Sequence, residues 1–594
     1  MAPPPDTGMV ACAPLPDRIA QLVIDCFEAL PGRGKPTPSG RDWTVLAGVV
    51  AEEPAAEVGT ASCLRTLCLA TGTRCVGVAS MVAAKGRAVH DCHAEVLCRR
   101  AFQRRLIGEL ARSRLSENKE AEDSKRRCIL ERCPASSSAA PRWRLRAGVR
   151  LHFYVSALPC GECALVPITS SNEGTLRRRP VSSADAARGG DGLDPVVEPL
   201  LDRNRTGAKP SLGMPEDPKA VGLGFHYGGI LRYKSGRSDL RPGARSVSYS
   251  CSDKLCRWNH TGWQGALFSR LIEEPLTMAT VVVGGSLFDA RFVAEALFSR
   301  AERTGAASPE FMPTSVPFRL DREVLEVQGD PKTGVGVVVK TSTAGLCVVW
   351  SAPLADGPCP RSISKNVDGF YDVLVGHTGE RHGVRQKPSG AGGAVRSGDI
   401  AAKASADGKM RVTAAARTLA KPAEPWVSPL SKVRMAEDLA CALVVALGSE
   451  NVALAWLLDG CRGKFVTSSI SASPRKRHRV EEPQNGTAVA KASEEPAVVA
   501  TYDWFKEAVT SAAYRCRREV FHATGPFVHW KRKRDLVFAA ASSWDPAAAA
   551  AAAADSKRDG TATHMDDFVV GVPWLVAAVG GAAWREREAT PMAT

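Results

Sequence analysis

Residues 91–95 read Asp-Cys-His-Ala-Glu, and residues 159–163 read Pro-Cys-Gly-Glu-Cys. In the first stretch His93 offers a neutral imidazole nitrogen to a metal. Glu95, two residues on, offers a carboxylate that can move protons. The second stretch supplies thiolates from Cys160 and Cys163. One His, two Cys and one open position make a catalytic zinc site, and the open position holds water. Zinc lowers the pKa of that water toward 7. Each half also has a plainer reading. H-x-E is often a surface His and Glu on a helix, and C-x-x-C is more often buried thiols or half of a structural metal site. Finding both in one chain, in this order, favours the catalytic reading.

Outward from these turns, strands and helices alternate. Residues 17–30 read as an amphipathic helix with Asp17 as N-cap and Ile19, Leu22, Val23, Cys26, Phe27 and Leu30 at helical spacing. Trp43 to Val50 reads as a strand. His93 and Glu95 open a helix that carries Val96, Leu97, Ala101, Leu106 and Leu110 inward. Strand Leu151 to Ser156 leads into Cys160. A short strand, Ser246 to Ser250, leads into Cys251. A helix over Gln264 to Ile272, a strand at Val281–Val283, a Gly-Gly turn and a helix over Ala290 to Arg300 follow. The pattern predicts an α/β core with both metal-binding turns at one edge.

The chain has 594 residues and a formal charge of +15, which suits a polyanionic partner. Its 18 Cys are scattered rather than framed as a disulfide scaffold. No signal sequence opens it and no apolar run reaches the ~18 residues of a membrane helix. The expectation is an intracellular protein, in nucleus or cytoplasm, with no membrane partner and reduced thiols free to bind metal. Residues 1–16 are Pro-rich. Residues 116–147, 170–222, 388–424 and 462–498 lack the apolar content that offsets ordering entropy, and read as inserted surface loops or disorder. Residues 536–594, with the Ala547 to Ala554 run, read as a low-complexity tail. The run 474–479, PRKRHR, reads equally as a nuclear import signal or a solvated loop.

H-x-E followed by P-C-x-x-C resembles zinc-dependent nucleobase deaminases. Residues 250–275, SCSDKLCRWNHTGWQGALFSRLIEEP, resemble the signature block of the adenosine-to-inosine RNA editase family. Similar blocks are residues 17–50, Thr71–Cys75, the GILRYKSGRSD run at 229–239, the TGERHG run at 378–383, SPLSK at 428–432 and Tyr502 to Lys533. The resemblance spans most of 17–535 and implies one deaminase domain. Its expected fold is a cytidine-deaminase-like α/β core, a central mixed sheet flanked by helices, with long disordered insertions and an added C-terminal helical part. No double-stranded-RNA-binding module is read ahead of residue 17, so the chain is more similar to the tRNA-specific adenosine deaminases of the family. That implies hydrolytic deamination of adenosine to inosine in tRNA, at adenosine 37 beside the anticodon of alanine tRNA. Action on other structured or messenger RNA, and a catalytically silent RNA-binding scaffold, are the alternatives.

The resemblance also assigns roles. Glu95 is the expected proton carrier. His93, Cys160 and Cys251 are the expected zinc ligands, with Cys163 as the alternative third ligand that the C-x-x-C spacing leaves open. Thr73, Arg74 and Lys234 match positions near the substrate. The editases also bury an inositol hexakisphosphate. Positions matching its shell are Arg99, Arg100, Lys254, Arg257, Trp258, Lys432, Tyr502, Lys506, Tyr514, Arg518, Trp530 and Lys533, with Asp91 and Lys254 linking it to the zinc region. Such a polyanion is tolerable in an interior only inside a dense shell of cations. The chain departs from the family at His90 for Asn, Lys365 for Trp, Ala266 for Ser, Arg518 for Lys, and at Glu162 and Cys163.

Overall fold

The structure, a computed structural model, describes residues 13–37, 41–54, 62–112, 127–134, 141–167, 199–201, 207–211, 226–236, 240, 242–301, 304–326, 341–354, 367–383, 426–461, 506–523 and 525–530. Its centre is a seven-stranded mixed sheet. The strand order is Glu310–Pro313, Thr280–Val283, Arg150–Val155, Leu46–Glu53, Cys63–Thr71, Leu346–Ser351 and Phe370–Val375. Thr280–Val283 runs parallel to both its neighbours, and the remaining pairs are antiparallel.

The period-2 alternation of the strands serves two cores. Ala47, Val49 and Ala51 of one strand face the larger core, whereas Leu46 and Val50 face the smaller one. The helix Leu15–Ala29 covers the smaller core with Ile19, Ala20, Val23, Ile24 and Phe27. It lies so close to the sheet that a Cβ on Gly48 would stand 2.6 Å from a Val23 methyl. Truncating Phe27, 0% exposed, to Ala would cost about 3–5 kcal/mol. Asp17 is not this helix's N-cap. Pro14 occupies that position, and Asp17 instead accepts hydrogen bonds from Thr314 Oγ1, Ser315 N and Ser315 Oγ at 2.7, 2.8 and 2.6 Å.

The long helix Ala94–Arg112 lies under the other face and buries Leu97, Ala101, Phe102, Leu106 and Leu110. The C-terminal helix Lys432–Leu447 packs against it, followed by Glu450–Cys461 and Ala512–His522. Two similar-looking sequence blocks meet here. Asp372 accepts from Arg381 Nε at 2.8 Å and from Ser428 Oγ at 2.9 Å, which ties the TGERHG and SPLSK runs together.

Several elements differ from the sequence expectation. The helix after Ser250 is Cys251–Thr261, and Gln264 to Ile272 is not helical beyond a short 3-10 turn at Ala266–Phe268. Gly262 and Gly265 take positive φ there, and the backbone at 270–273 is drawn outward to pair with Trp143 and Val509. Ser246 to Ser250 forms only an isolated bridge, Tyr249 to Tyr233. The Ala290 helix ends at Leu297. Lys506 and Tyr514 do not share one helix, because Ser511 caps a new one at Ala512. The stretch 116–147 holds a hairpin, Leu130–Arg132 with Trp143–Leu145, tied to the core because Glu109 accepts the N–H groups of Ile129 and Leu130, both at 3.0 Å. Within 170–222, Pro199–Leu201 and Lys209–Pro210 pair with other strands. The expectations for 388–424, 462–498, 536–594, Tyr502, Lys533, Lys365 and the 474–479 run lie outside the described residues. Among the described residues no helix is long and apolar enough to cross a membrane.

Candidate active site

The strand pair Thr73–Cys75 and Asp91–His93 sets Thr73 opposite His93 and Cys75 opposite Asp91. The chain turns directly from His93 into the Ala94–Arg112 helix, so Glu95 sits in its first turn, 3% exposed. Cys160 follows strand Arg150–Val155, an inner strand, so its turn lies at the strand's carboxyl end rather than at the sheet's lateral edge. Cys251 is the first residue of its helix. Ser250 caps that helix by accepting from Asp253 N, an N-cap that the sequence displays as S-x-x-D.

These turns converge. One ligand atom from each of His93, Cys160 and Cys251 lies within 4.8 Å of the others. His93 Nδ1 is 3.7 Å from Cys160 Sγ and 3.6 Å from Cys251 Sγ. Imidazole plus two thiolates is a donor set suited to zinc, and it leaves a fourth position open. Cys163 falls outside this group. It is buried, its backbone N–H donates to Ser252 Oγ at 3.0 Å, and burial pushes its thiol well above the ordinary range. A second donor group, Cys75, Asp91 and His93, shares the imidazole. There Asp91 is already engaged by two ammonium groups.

The electrostatics separate the donors. The Cys251 hydrogen bond, helped by Lys234 and His93, holds the Cys160 thiol well below its usual range despite burial. Burial and the neighbouring Cys160 push Cys251 the other way. Burial and Lys234 oppose a charge on His93, yet the Cys160 thiolate wins and lifts it to about 10. A metal would take the place of these shared protons. Burial raises the carboxyl of Glu95, with His93 pulling it back. A buried carboxyl of raised pKa beside a metal site suits proton transfer near neutral pH.

Beneath the donors lies Asp91. Lys234 Nζ donates to its two oxygens at 3.1 and 2.9 Å and to Cys251 Sγ at 3.0 Å. Lys254 also donates to Asp91, and Ser248 Oγ donates at 2.6 Å. Burial works to raise this carboxyl, but Lys234 and Lys254 hold it well below the usual range. Lys234 is 6% exposed and bridges Asp91 to the Cys251 thiol. The Arg74 guanidinium donates to the carbonyls of Ala344 and Thr343 at 3.0 and 2.7 Å. Thr73 Oγ1 is buried with no hydrogen-bond partner among the described residues.

Of the residues expected around a polyphosphate, the structure brings several together. Arg99 stacks on Trp258 at 4.6 Å and Arg257 on Trp530 at 5.2 Å. Burial and the charges of Arg257 and Arg100 press Arg99 down to about 9, although Tyr514 offsets them. Tyr514 is itself lowered by Arg257, Arg99 and Lys506 against the effect of its burial. Arg518 adds a further repulsive charge at Arg257. Among the described residues no carboxylate forms an ion pair with Arg99 or Arg257, and Arg99 Nε is buried without a partner. Arg100 is turned elsewhere, donating to Leu430 O at 2.7 Å beside the Lys432 helix. Lys254 points at Asp91. Sequence reading missed Glu162 and Arg300. They form a buried ion pair at 3.3 Å behind Cys160, and only the unusual acid at 162 hinted at it.

Residues 68–363 match the adenosine-deaminase (editase) domain model. The chain is 28% identical over 419 residues to "tRNA-specific adenosine deaminase 1" of Mus musculus, covering 57% of this chain and 79% of that protein. It is 30% identical over 308 residues to the protein of the same name from Drosophila melanogaster, covering 52% of this chain and 65% of that one. It is also 30% identical over 292 residues to the mouse "Double-stranded RNA-specific adenosine deaminase", covering 49% of this chain but 21% of that protein.

Proposed function

We propose, starting from the adenosine-deaminase editase domain that this chain carries, that it is an enzyme converting adenosine to inosine in tRNA, at adenosine 37 beside the anticodon of alanine tRNA. The observation that carries the reading is the convergence of His93, Cys160 and Cys251 with Glu95 in the next helical turn. The relatives named for tRNA are covered over much more of their length than the one named for double-stranded RNA.

In this reading His93, Cys160 and Cys251 would hold zinc. Bound there, the ion would make a water molecule acidic enough to attack at neutral pH. The target adenine must leave its stack to reach such a site, and the anticodon loop is already partly unstacked. Glu95 would carry one proton from the attacking water to adenine N1 as its oxygen adds to C6, then pass the proton of the new C6 hydroxyl to the amine, which leaves as ammonia as C6=O forms. Thr73, paired opposite His93 and with a buried hydroxyl unpartnered among the described residues, would meet the target nucleotide. Arg74 would act by fixing the loop at Thr343 and Ala344. Lys234 would neutralise Asp91 and steady the Cys251 thiolate.

A polyphosphate, inositol hexakisphosphate, would lie among Arg99, Arg257, Lys506, Tyr514 and Arg518, with Trp258 and Trp530 as walls. The support is chemical. Half-buried guanidinium groups without carboxylates are stabilised by an anion that can pair with several at once. The test of the whole reading is inosine mapping in total tRNA incubated with the purified protein. Inosine beside the anticodon of alanine tRNA, absent with Glu95→Ala, is the expected result. Zinc-loaded protein that leaves every tRNA unchanged would overturn it.

A further inference from the structure

Two residues after each thiol donor stands a buried carboxylate: Glu162 after Cys160, and Asp253 after Cys251. One guanidinium bridges both. Arg300 Nη1 lies 3.3 Å from Glu162 Oε2, and Arg300 Nη2 lies 3.1 Å from Asp253 Oδ1. The three side chains are 3%, 3% and 1% exposed, so water screens none of them. Arg300 is aimed from behind, with Nε and Nη2 donating to Ala296 O at 3.0 and 2.7 Å.

The carboxylates' other oxygens reach a third segment. Glu162 Oε1 accepts from Gly229 N at 2.8 Å, and Asp253 Oδ2 accepts from Arg232 N at 3.1 Å. That segment delivers Lys234 to Asp91 and Cys251. Asp253 Oδ2 also accepts from Ser250 Oγ at 2.7 Å, within the cap that begins the Cys251 helix. The turn carrying Cys160 abuts this cap so tightly that a Cβ on Gly161, at φ 104°, would stand 2.3 Å from Ser250 Oγ.

We propose that Arg300 is the positioning residue of the metal centre: by pairing with Glu162 and Asp253 it fixes the spacing between Cys160 and Cys251. The inference rests on the metal reading of those two thiols. Without Arg300, two buried carboxylates would face each other with only the Arg232 charge left acting on Glu162, and the turns that bear the thiols would be driven apart. Groups behind metal ligands set ligand orientation, and losing one typically weakens metal binding about 10–100-fold.

The test measures zinc affinity of the metal-free full chain by competition with a chromophoric chelator, beside its melting temperature. Arg300→Met is expected to weaken zinc binding about 10–100-fold, and Arg300→Lys to restore most of it. Arg105→Met is the control. It breaks another buried ion pair, Arg105 with Glu109 at 3.1 Å, remote from the thiols, and should lower melting without changing zinc affinity. If Arg300→Met does not fold, Glu162→Gln, which keeps an acceptor for Gly229 N, should still weaken zinc binding several-fold. Unchanged zinc affinity in Arg300→Met, or in Glu162→Gln where the former is insoluble, would overturn the proposal. Wild-type protein that binds zinc but makes no inosine would sink the deaminase reading and leave the Arg300 result standing.

Discussion

Two buried charged regions lie on either side of the Cys251 helix, and they are balanced in opposite ways. On the donor side opposite charges pair within the chain: Asp91 between Lys234 and Lys254, and Arg300 between Glu162 and Asp253. On the other side Arg99, Arg257 and Tyr514 gather with no carboxylate paired to either guanidinium among the described residues, and burial, with the neighbouring guanidinium charges, pushes Arg99 toward losing its proton. Buried ion pairs are costly and are retained where geometry needs them. Self-balanced charge therefore marks a region that must be rigid before anything binds. Unbalanced charge of one sign marks a region whose stability is completed by something from outside.

The comparison is tested most severely at the donor side. Replacing Glu95 by Gln keeps its shape and removes its proton chemistry. Inosine formation on alanine tRNA, followed in single turnovers, should fall by at least about 10²–10⁴-fold while zinc content stays at one per chain. Full activity in that variant would remove Glu95 from the mechanism. The thiols come next. Cys251→Ser should purify without zinc, whereas Cys163→Ser should keep it, since only Cys251 joins the donor group. Metal analysis with the opposite pattern would make Cys163 the ligand.

At the cation side the expected effect is smaller and appears as stability. Protein purified without added polyphosphate should carry phosphorus amounting to one inositol hexakisphosphate per chain. Arg99→Met with Arg257→Met should lose it and melt earlier. A ligand present at 100 times its Kd adds about 2.7 kcal/mol, and that is the size of loss to look for. Phosphorus-free wild-type protein with an unchanged melting point in the double variant would show that the cluster closes without an anion.

The two regions were unequally legible in the sequence. The donor set could be read because each donor sits in a short contiguous motif, although spacing alone offered Cys163, and only the resemblance of residues 250–275 to the editase signature block singled out Cys251. The Cys251 helix was missed although its S-x-x-D cap was present at Ser250 and Asp253, because the apolar run 264–272 carried a stronger helical period. That period was spent instead on a 3-10 turn and on bridging Trp143, a tertiary pairing with no local trace. Sequence named Arg74 and Lys234 but carries no contacts: Arg74 holds the carbonyls of Ala344 and Thr343, and Lys234 holds Asp91 and Cys251. Arg300 belongs to no motif. Its role exists only because folding brings residues 162, 253 and 300 together.

The last prediction concerns Asp321, a buried acid belonging to neither region. It lies 6% exposed beside Ser156 and Tyr154, and burial lifts its pKa from 3.8 to about 7 against a hydrogen bond from Arg322 N. A raised carboxyl binds its proton more tightly in the folded state than in the unfolded one. Stability from this group is thus present at low pH and lost as pH rises from about 4 to about 7, the native state holding the extra proton throughout that window. Asp321→Asn cannot ionise and keeps an acceptor for Arg322 N. At pH 3 it should melt close to wild type, and at pH 8 above it, by at most about 4 kcal/mol at 1.36 kcal/mol per pKa unit. An equal shift at both pH values would mean that the gain comes from packing rather than from the proton. No shift at all would mean that Asp321 titrates near 3.8, with enough water or charge at hand to ionise it inside the fold.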